Sequence, residues 1–132
     1  MHLLLTAMLC TGCYPIHKLI QPEAKATVVD SHEAPLEGVS VTLISNAYPY
    51  GWEKSRDLRP TDARGNITFG ERREWRIELL FIHGAEAYFW NWCVEKQGFS
   101  TFETEWSGSS QFDADLKVKL ESGDSIPCRA RR

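Results

Sequence analysis

The chain has 132 residues, enough for one domain with its own core, and its 42% apolar and 25% charged residues are ordinary for a globular protein. A formal charge of −3 gives no reason to expect nucleic-acid binding. The charge is uneven, with seven basic and five acidic residues over 53–76 against six acidic and two basic over 103–124, a pattern that solvated faces explain.

The first element is "MHLLLTAMLCTGC", an apolar run from Leu3 that closes on Thr11-Gly12-Cys13. It is too short to span a bilayer, which needs about 20 apolar residues, and its length fits the apolar part of an export signal. The four residues from Cys10 to Cys13 resemble the lipobox of bacterial lipoproteins, with Cys10 in the place usually held by Leu. The resemblance implies that residues 1–12 are a lipoprotein signal peptide and that the thiol of Cys13 carries lipid. A plain signal peptide or a buried N-terminal strand is the alternative. Each buried methylene contributes about 0.8 kcal/mol and a single chain holds only reversibly, so several acyl chains on Cys13 would anchor the protein without a transmembrane helix. Tyr14, rather than Asp, follows the cysteine. By the same resemblance this implies the outer membrane of a Gram-negative cell envelope, facing periplasm or surface.

Residues 13–24 carry two prolines and little periodicity, and read as a tether. From Lys25 the period is two. In "GVSVTLIS" Val39, Val41 and Leu43 alternate with Ser40 and Thr42; in "FDADLKVKLES" Phe112, Ala114, Leu116, Val118 and Leu120 alternate with charged residues. Such alternation predicts strands with one buried and one wet face. "RNITF", "RIELLFI", "AYFWNWCVE" and "FSTFETEW" supply further short strands, and no segment has a sustained helical stripe. The expectation is an all-β, antiparallel β-sandwich of about seven strands over residues 25–132. In the turns, Asp62 can accept from amides downstream and Gly65 can take a positive φ. Residues 46–60 read as a long loop with "YPYGW" at its tip, and long loops on rigid scaffolds often bind.

Three stretches, "ATVVDSHEAPLEGVSVTLIS", "TDARGNITF" and "KQGFSTF", resemble the carboxypeptidase regulatory-like domain, a transthyretin-like or Ig-like sandwich. The resemblance implies a fold and little about function, because a shared sandwich hosts many roles. Hydroxyisourate hydrolases of that fold end in Tyr-Arg-Gly-Ser; this chain ends "CRARR" and lacks the motif.

If Cys10 leaves with the signal and Cys13 carries lipid, Cys93 and Cys128 remain, and an even pair in an exported protein reads as a disulfide. Tyr88, Trp90, Trp92 and Val94 share one strand face, so Cys93 points to the other, where the tail after Leu120 could bring Cys128. A catalytic Cys93 would need a base, for which His83 is the candidate. Metal ligation would need clustered ligands, and no C-x-x-C or H-x-x-x-H pair occurs.

Trp90, Trp92 and Trp106 read as core residues. Tyr48, Tyr50 and Trp52 form a candidate ligand-binding loop, with loop anchoring as the simpler role. Arg72, Arg73 and Arg76 could meet an anion or anionic lipid, and Arg129, Arg131 and Arg132 form a basic tail; solvation is the simpler reading of both. His17, His32 and His83 are scattered. The expectation is therefore a non-enzymatic, lipid-anchored envelope protein with a structural or protein-interaction role, without catalytic residues, metal or cofactor. Its expected partners are the membrane, through Cys13, and an envelope protein or a glycan. The second reading is a glycan-binding module using Tyr48, Tyr50 and Trp52.

Overall fold

Sequence alternation becomes alternation of burial most clearly at residues 115–120, where Leu116, Val118 and Leu120 are buried and Asp115, Lys117 and Lys119 are exposed. The computed structural model describes residues 13–79, 86–108 and 110–129. Within them are nine strands and no helix: β1 Cys13–Gln21, β2 Ala24–Asp30, β3 Ser40–Ala47, β4 Trp52–Pro60, β5 Asn66–Phe69, β6 Arg72–Leu79, β7 Tyr88–Glu95, β8 Phe102–Glu103 and β9 Asp115–Leu120. The predicted all-β sandwich is what forms. A sheet ordered β5-β2-β9 packs on one ordered β4-β3-β7-β8, and β1 and β6 make a separate two-stranded ribbon.

The core lies between the two larger sheets. Ala26 and Val28 of β2, Phe69 of β5 and the three apolar residues of β9 meet Val41 and Leu43 of β3 and Trp90, Trp92 and Val94 of β7. Trp92 is 1% exposed, lies 5.5 Å from the rings of both Phe69 and Phe112, and donates its indole N–H to the Asp113 carbonyl at 2.8 Å. Burying one such side chain contributes roughly 1.5–3 kcal/mol.

Most neighbours are antiparallel, but β2 and β9 are parallel, from Lys25↔Asp115 to Asp30↔Leu120. The chain reaches β9 by crossing from the other sheet, and a crossover can lay strands parallel where a hairpin cannot. Turn chemistry follows expectation. Asp62 accepts from the amides of Arg64 and Asn66 at 2.9 and 2.8 Å, and Gly65 has φ +75°. A Cβ at Gly65 would stand 2.4 Å from the Val28 carbonyl oxygen, so the residue must be glycine for space as well as for φ.

Two stretches differ from expectation. Residues 13–21 are a strand, not an irregular tether: β1 continues the line of β2, and pairing with β6 satisfies its backbone despite Pro15. The long loop at 46–60 shrinks to residues 48–51, because β3 runs to Ala47 and β4 begins at Trp52. β4 is an edge strand rich in charge, and that composition hid its period of two.

Candidate functional site

The opening residue of the described chain, Cys13, is an exposed free thiol paired in register with Leu79. It stands at the outer end of the β1/β6 ribbon. That ribbon prolongs the β2/β5 pair beyond the sandwich: Ala24↔Phe69 is followed by Gln21↔Arg72, then by a one-residue slip and seven further pairs out to Cys13↔Leu79.

The ribbon root is polar and tightly held. Gln21 is 1% exposed, and its amide donates to Asp57 Oδ2 at 3.2 Å and to the Gly70 carbonyl at 3.0 Å. Burial opposes ionisation of Asp57, but hydrogen bonds from Arg59 and Gln21 outweigh it and hold the carboxyl below its ordinary value. Trp90 reaches out of the core to donate its indole N–H to the Ile20 carbonyl at 2.9 Å.

Outward from that root the ribbon is built inside-out. One face carries Tyr14, Ile16, Lys18, Glu74, Arg76 and Glu78; its Lys18 and Glu78 turn toward the body, while Tyr14 and Glu74 stay exposed. Lys18 and Glu78 form an ion pair with side chains only 12% and 9% exposed, and Lys18 also donates to the Glu86 carbonyl. The Glu86 carboxylate binds Lys54 at 2.9 Å and Arg76 at 3.8 Å. Burial pushes the neighbouring Tyr88 hydroxyl pKa up, and the Glu86 charge adds to the effect. The opposite face presents Cys13, Pro15, His17, Trp75 and Ile77, all exposed. Trp75 and Ile77 are 73% and 76% exposed, and the His17 ring stacks on Trp75 at 4.8 Å between centroids. Strands normally put their apolar side in and their charged side out; here the Lys18–Glu78 pair is sheltered, and Trp75 and Ile77 are not.

The expected disulfide is present. Cys93 and Cys128 are bonded, with Cα atoms 6.0 Å apart. Cys93 lies on the face of β7 opposite Trp90, Trp92 and Val94, and the tail crosses that face as expected. The Thr101 hydroxyl donates to the Ile126 carbonyl at 2.6 Å, Cys128 N–H donates to Glu95 at 3.0 Å, and Arg129 meets Glu103 at 3.1 Å. Under this cover Thr42, Ile44, Asn46 and Asn91 are all buried, with the Asn46 amide donating to Asn91 Oδ1 at 3.0 Å. Cys93, Cys128 and Glu95 have ligand atoms within 4.8 Å of one another, but the disulfide takes both sulfurs.

Tyr48, Tyr50 and Trp52 are 57%, 65% and 52% exposed. Tyr50 and Trp52 stack at 4.9 Å, whereas Tyr48 leans on Phe89 at 5.2 Å and follows the chain into a cis bond with Pro49. The three are brought to one turn, although Trp52 already belongs to β4. Trp90 and Trp92 fill the core, and Trp106 is half-buried against Phe89. His32 sits exposed in the turn after β2, as expected. The proposed signal at 1–12, His83 and the last two arginines lie outside the described residues.

The exposed Trp75 and Ile77 and the hub at Glu86 went unforeseen. Alternation of Trp75 and Ile77 with Glu74, Arg76 and Glu78 is legible in "REWRIEL", but by itself it predicts a face turned inward. No protein-family model matches the chain, and no curated protein matches it either.

Proposed function

We propose that this is a non-enzymatic, lipid-anchored cell-envelope protein, held through acylated Cys13 and presenting a rigid sandwich to another envelope component. The observation that carries the reading is the division of the cysteines. Cys93 and Cys128 are consumed in a disulfide that suits an oxidising compartment, while Cys13 stands free and exposed directly after an apolar stretch. The lipobox-like residues before Cys13 agree with export and acylation, and Tyr14 agrees with an outer-membrane destination. The turn motifs that resemble the carboxypeptidase regulatory-like domain support a scaffold rather than an activity, since Asp62 and Gly65 serve the backbone. The disulfide also argues against a reactive Cys93.

Intact mass of the protein extracted from membranes of an expressing bacterium tests this. Loss of residues 1–12 with acyl mass on Cys13 is expected, and Cys13→Ser abolishes both. An unmodified Cys13 in membrane-free protein defeats the reading.

A second reading, glycan binding, is favoured by the stacked and exposed Tyr50–Trp52 pair, since aromatic faces stack on sugar rings. A peptidoglycan pull-down with Trp52→Ala as control separates the two. Retention that the variant loses favours the glycan module; no retention favours the scaffold.

A further inference from the structure

We infer that the outward face of the β1/β6 ribbon lies on the surface of the bilayer that holds Cys13, with Trp75 and Ile77 in the headgroup region. This deepens the anchored reading and rests on it. The argument starts from the inverted ribbon. Folding turns Lys18 and Glu78 toward the body and leaves Trp75 and Ile77 more than two-thirds exposed. Apolar side chains arranged on one exposed strand face, with nothing of the described chain over them, call for an external cover.

Two observations select a bilayer as that cover. First, Cys13 is on the same face. Cys13, Pro15 and His17 alternate along β1, paired with Leu79, Ile77 and Trp75. At about 3.3 Å per residue, Trp75 lies about 13 Å along the ribbon from the thiol. Lipid on Cys13 therefore brings the whole face within reach of the surface if the ribbon lies flat. Second, the face is chemically interfacial. From Cys13↔Leu79 to Leu19↔Arg73 it bears no acidic residue, the ribbon's Glu74 and Glu78 being on the other side. It combines a Trp and a His, and the charge of Arg73 at its inner end is met by Glu71. Trp rings favour the headgroup level.

The rest of the surface is arranged to match. Five of the eight large apolar side chains exposed among the described residues are Trp75 and Ile77 on the outward face of the ribbon and Tyr48, Tyr50 and Trp52 on the β3–β4 turn, whereas Tyr14 is exposed on the other face of the ribbon, paired with Glu78. Both groups occupy one end of the molecule. The Tyr48 amide donates to the Ala87 carbonyl at 2.9 Å, and the adjacent Glu86 ties Lys54 of β4 to Arg76 of β6.

The test uses the full-length exported protein, with its mass determined, in vesicles of phosphatidylethanolamine and phosphatidylglycerol containing lipids brominated near the headgroup end of the acyl chains. Bromine quenches tryptophan only at contact range. Wild type should lose tryptophan emission in these vesicles, and Trp75→Phe should remove at least half of that loss. Ile77→Glu should shift the remaining emission toward that of the protein in detergent. Equal quenching in wild type and Trp75→Phe overturns the inference, as does protection of Trp75 in detergent by a second copy, read as a doubled mass. The two readings fail separately. Acyl mass with an unquenched Trp75 removes the ribbon contact and keeps the anchor, whereas Trp75-dependent quenching without acyl mass keeps the contact and removes the anchor.

Discussion

The sandwich body and the β1/β6 ribbon use the same period-two alternation for opposite ends. In the body, Leu43, Trp92 and Val118 face one another and the charged residues of β9 face water. In the ribbon, Lys18 and Glu78 are sheltered, and Trp75 and Ile77 are not. Stability in the body comes from burial that the chain supplies to itself. The ribbon is held at its root by Gln21, Ile20 and Trp90 and along its inner face by ion pairs, so its outer face contributes little to folding. Apolar surface that folding does not need is surface available to a partner.

The largest effects should fall in the body. Trp92→Ala removes the ring between Phe69 and Phe112 together with its bond to Asp113, and should cost about 3–5 kcal/mol in a denaturant titration. A cost near zero would mean that the two sheets do not close on Trp92. Next comes the disulfide. Its partners are 35 residues apart, and the chain-entropy relation gives about 3–4 kcal/mol for a loop of that length. Reduction, or the double variant Cys93→Ser with Cys128→Ser, should lower the unfolding midpoint accordingly and loosen the tail from the face of β7. Protease cleavage after Arg129 that is insensitive to reductant would contradict that docking.

Gly65→Ala ranks third. The added methyl meets the Val28 carbonyl at 2.4 Å and the backbone keeps φ near +75°, so the loss should be about 1–3 kcal/mol, read from the same titration. Fourth is Asp57, at the junction of the two regions. Its folded carboxyl lies below its unfolded value, so its contribution is complete at neutral pH, above about 3.9, and fades as pH falls through the folded value. Asp57→Asn should cost about 1 kcal/mol at pH 7 and flatten the acid limb of the stability profile. An unchanged acid limb would place the ribbon root elsewhere.

These residues also show what the sequence discloses and what it hides. β3 and β9 are legible because each has one face in the core, so burial imposes Val41/Leu43 and Leu116/Val118/Leu120 on the pattern. The Asp62–Gly65 turn is legible because its chemistry is local, and the disulfide because Cys93 and Cys128 are the two cysteines left once the N-terminal pair is set aside. β4 was hidden by its place at an edge, where Lys54, Arg56 and Arg59 face solvent and no hydrophobic stripe is required. β1 was hidden because its partner lies some 60 positions away, a pairing that local pattern cannot reveal. The direction of the Trp75/Ile77 face was hidden for a deeper reason. Alternation tells which residues share a side, and only the tertiary structure tells whether that side meets the core.

The smallest expected effect is the sharpest test of the comparison. Trp75 is as bulky as Trp92, and in the body such a ring is worth several kcal/mol. On the ribbon it makes one stacking contact, with an exposed His17, and leaves 73% of its surface in water. Aromatic stacking contributes about 0.5–1.5 kcal/mol at best, and less where both rings are solvated. Trp75→Ala should therefore change the stability of the detergent-solubilised protein by no more than about 0.5 kcal/mol, with the far-ultraviolet circular dichroism unchanged. A loss of 2 kcal/mol or more would show that the ring packs against the chain itself, and the distinction between a self-covered body and an uncovered ribbon would fall.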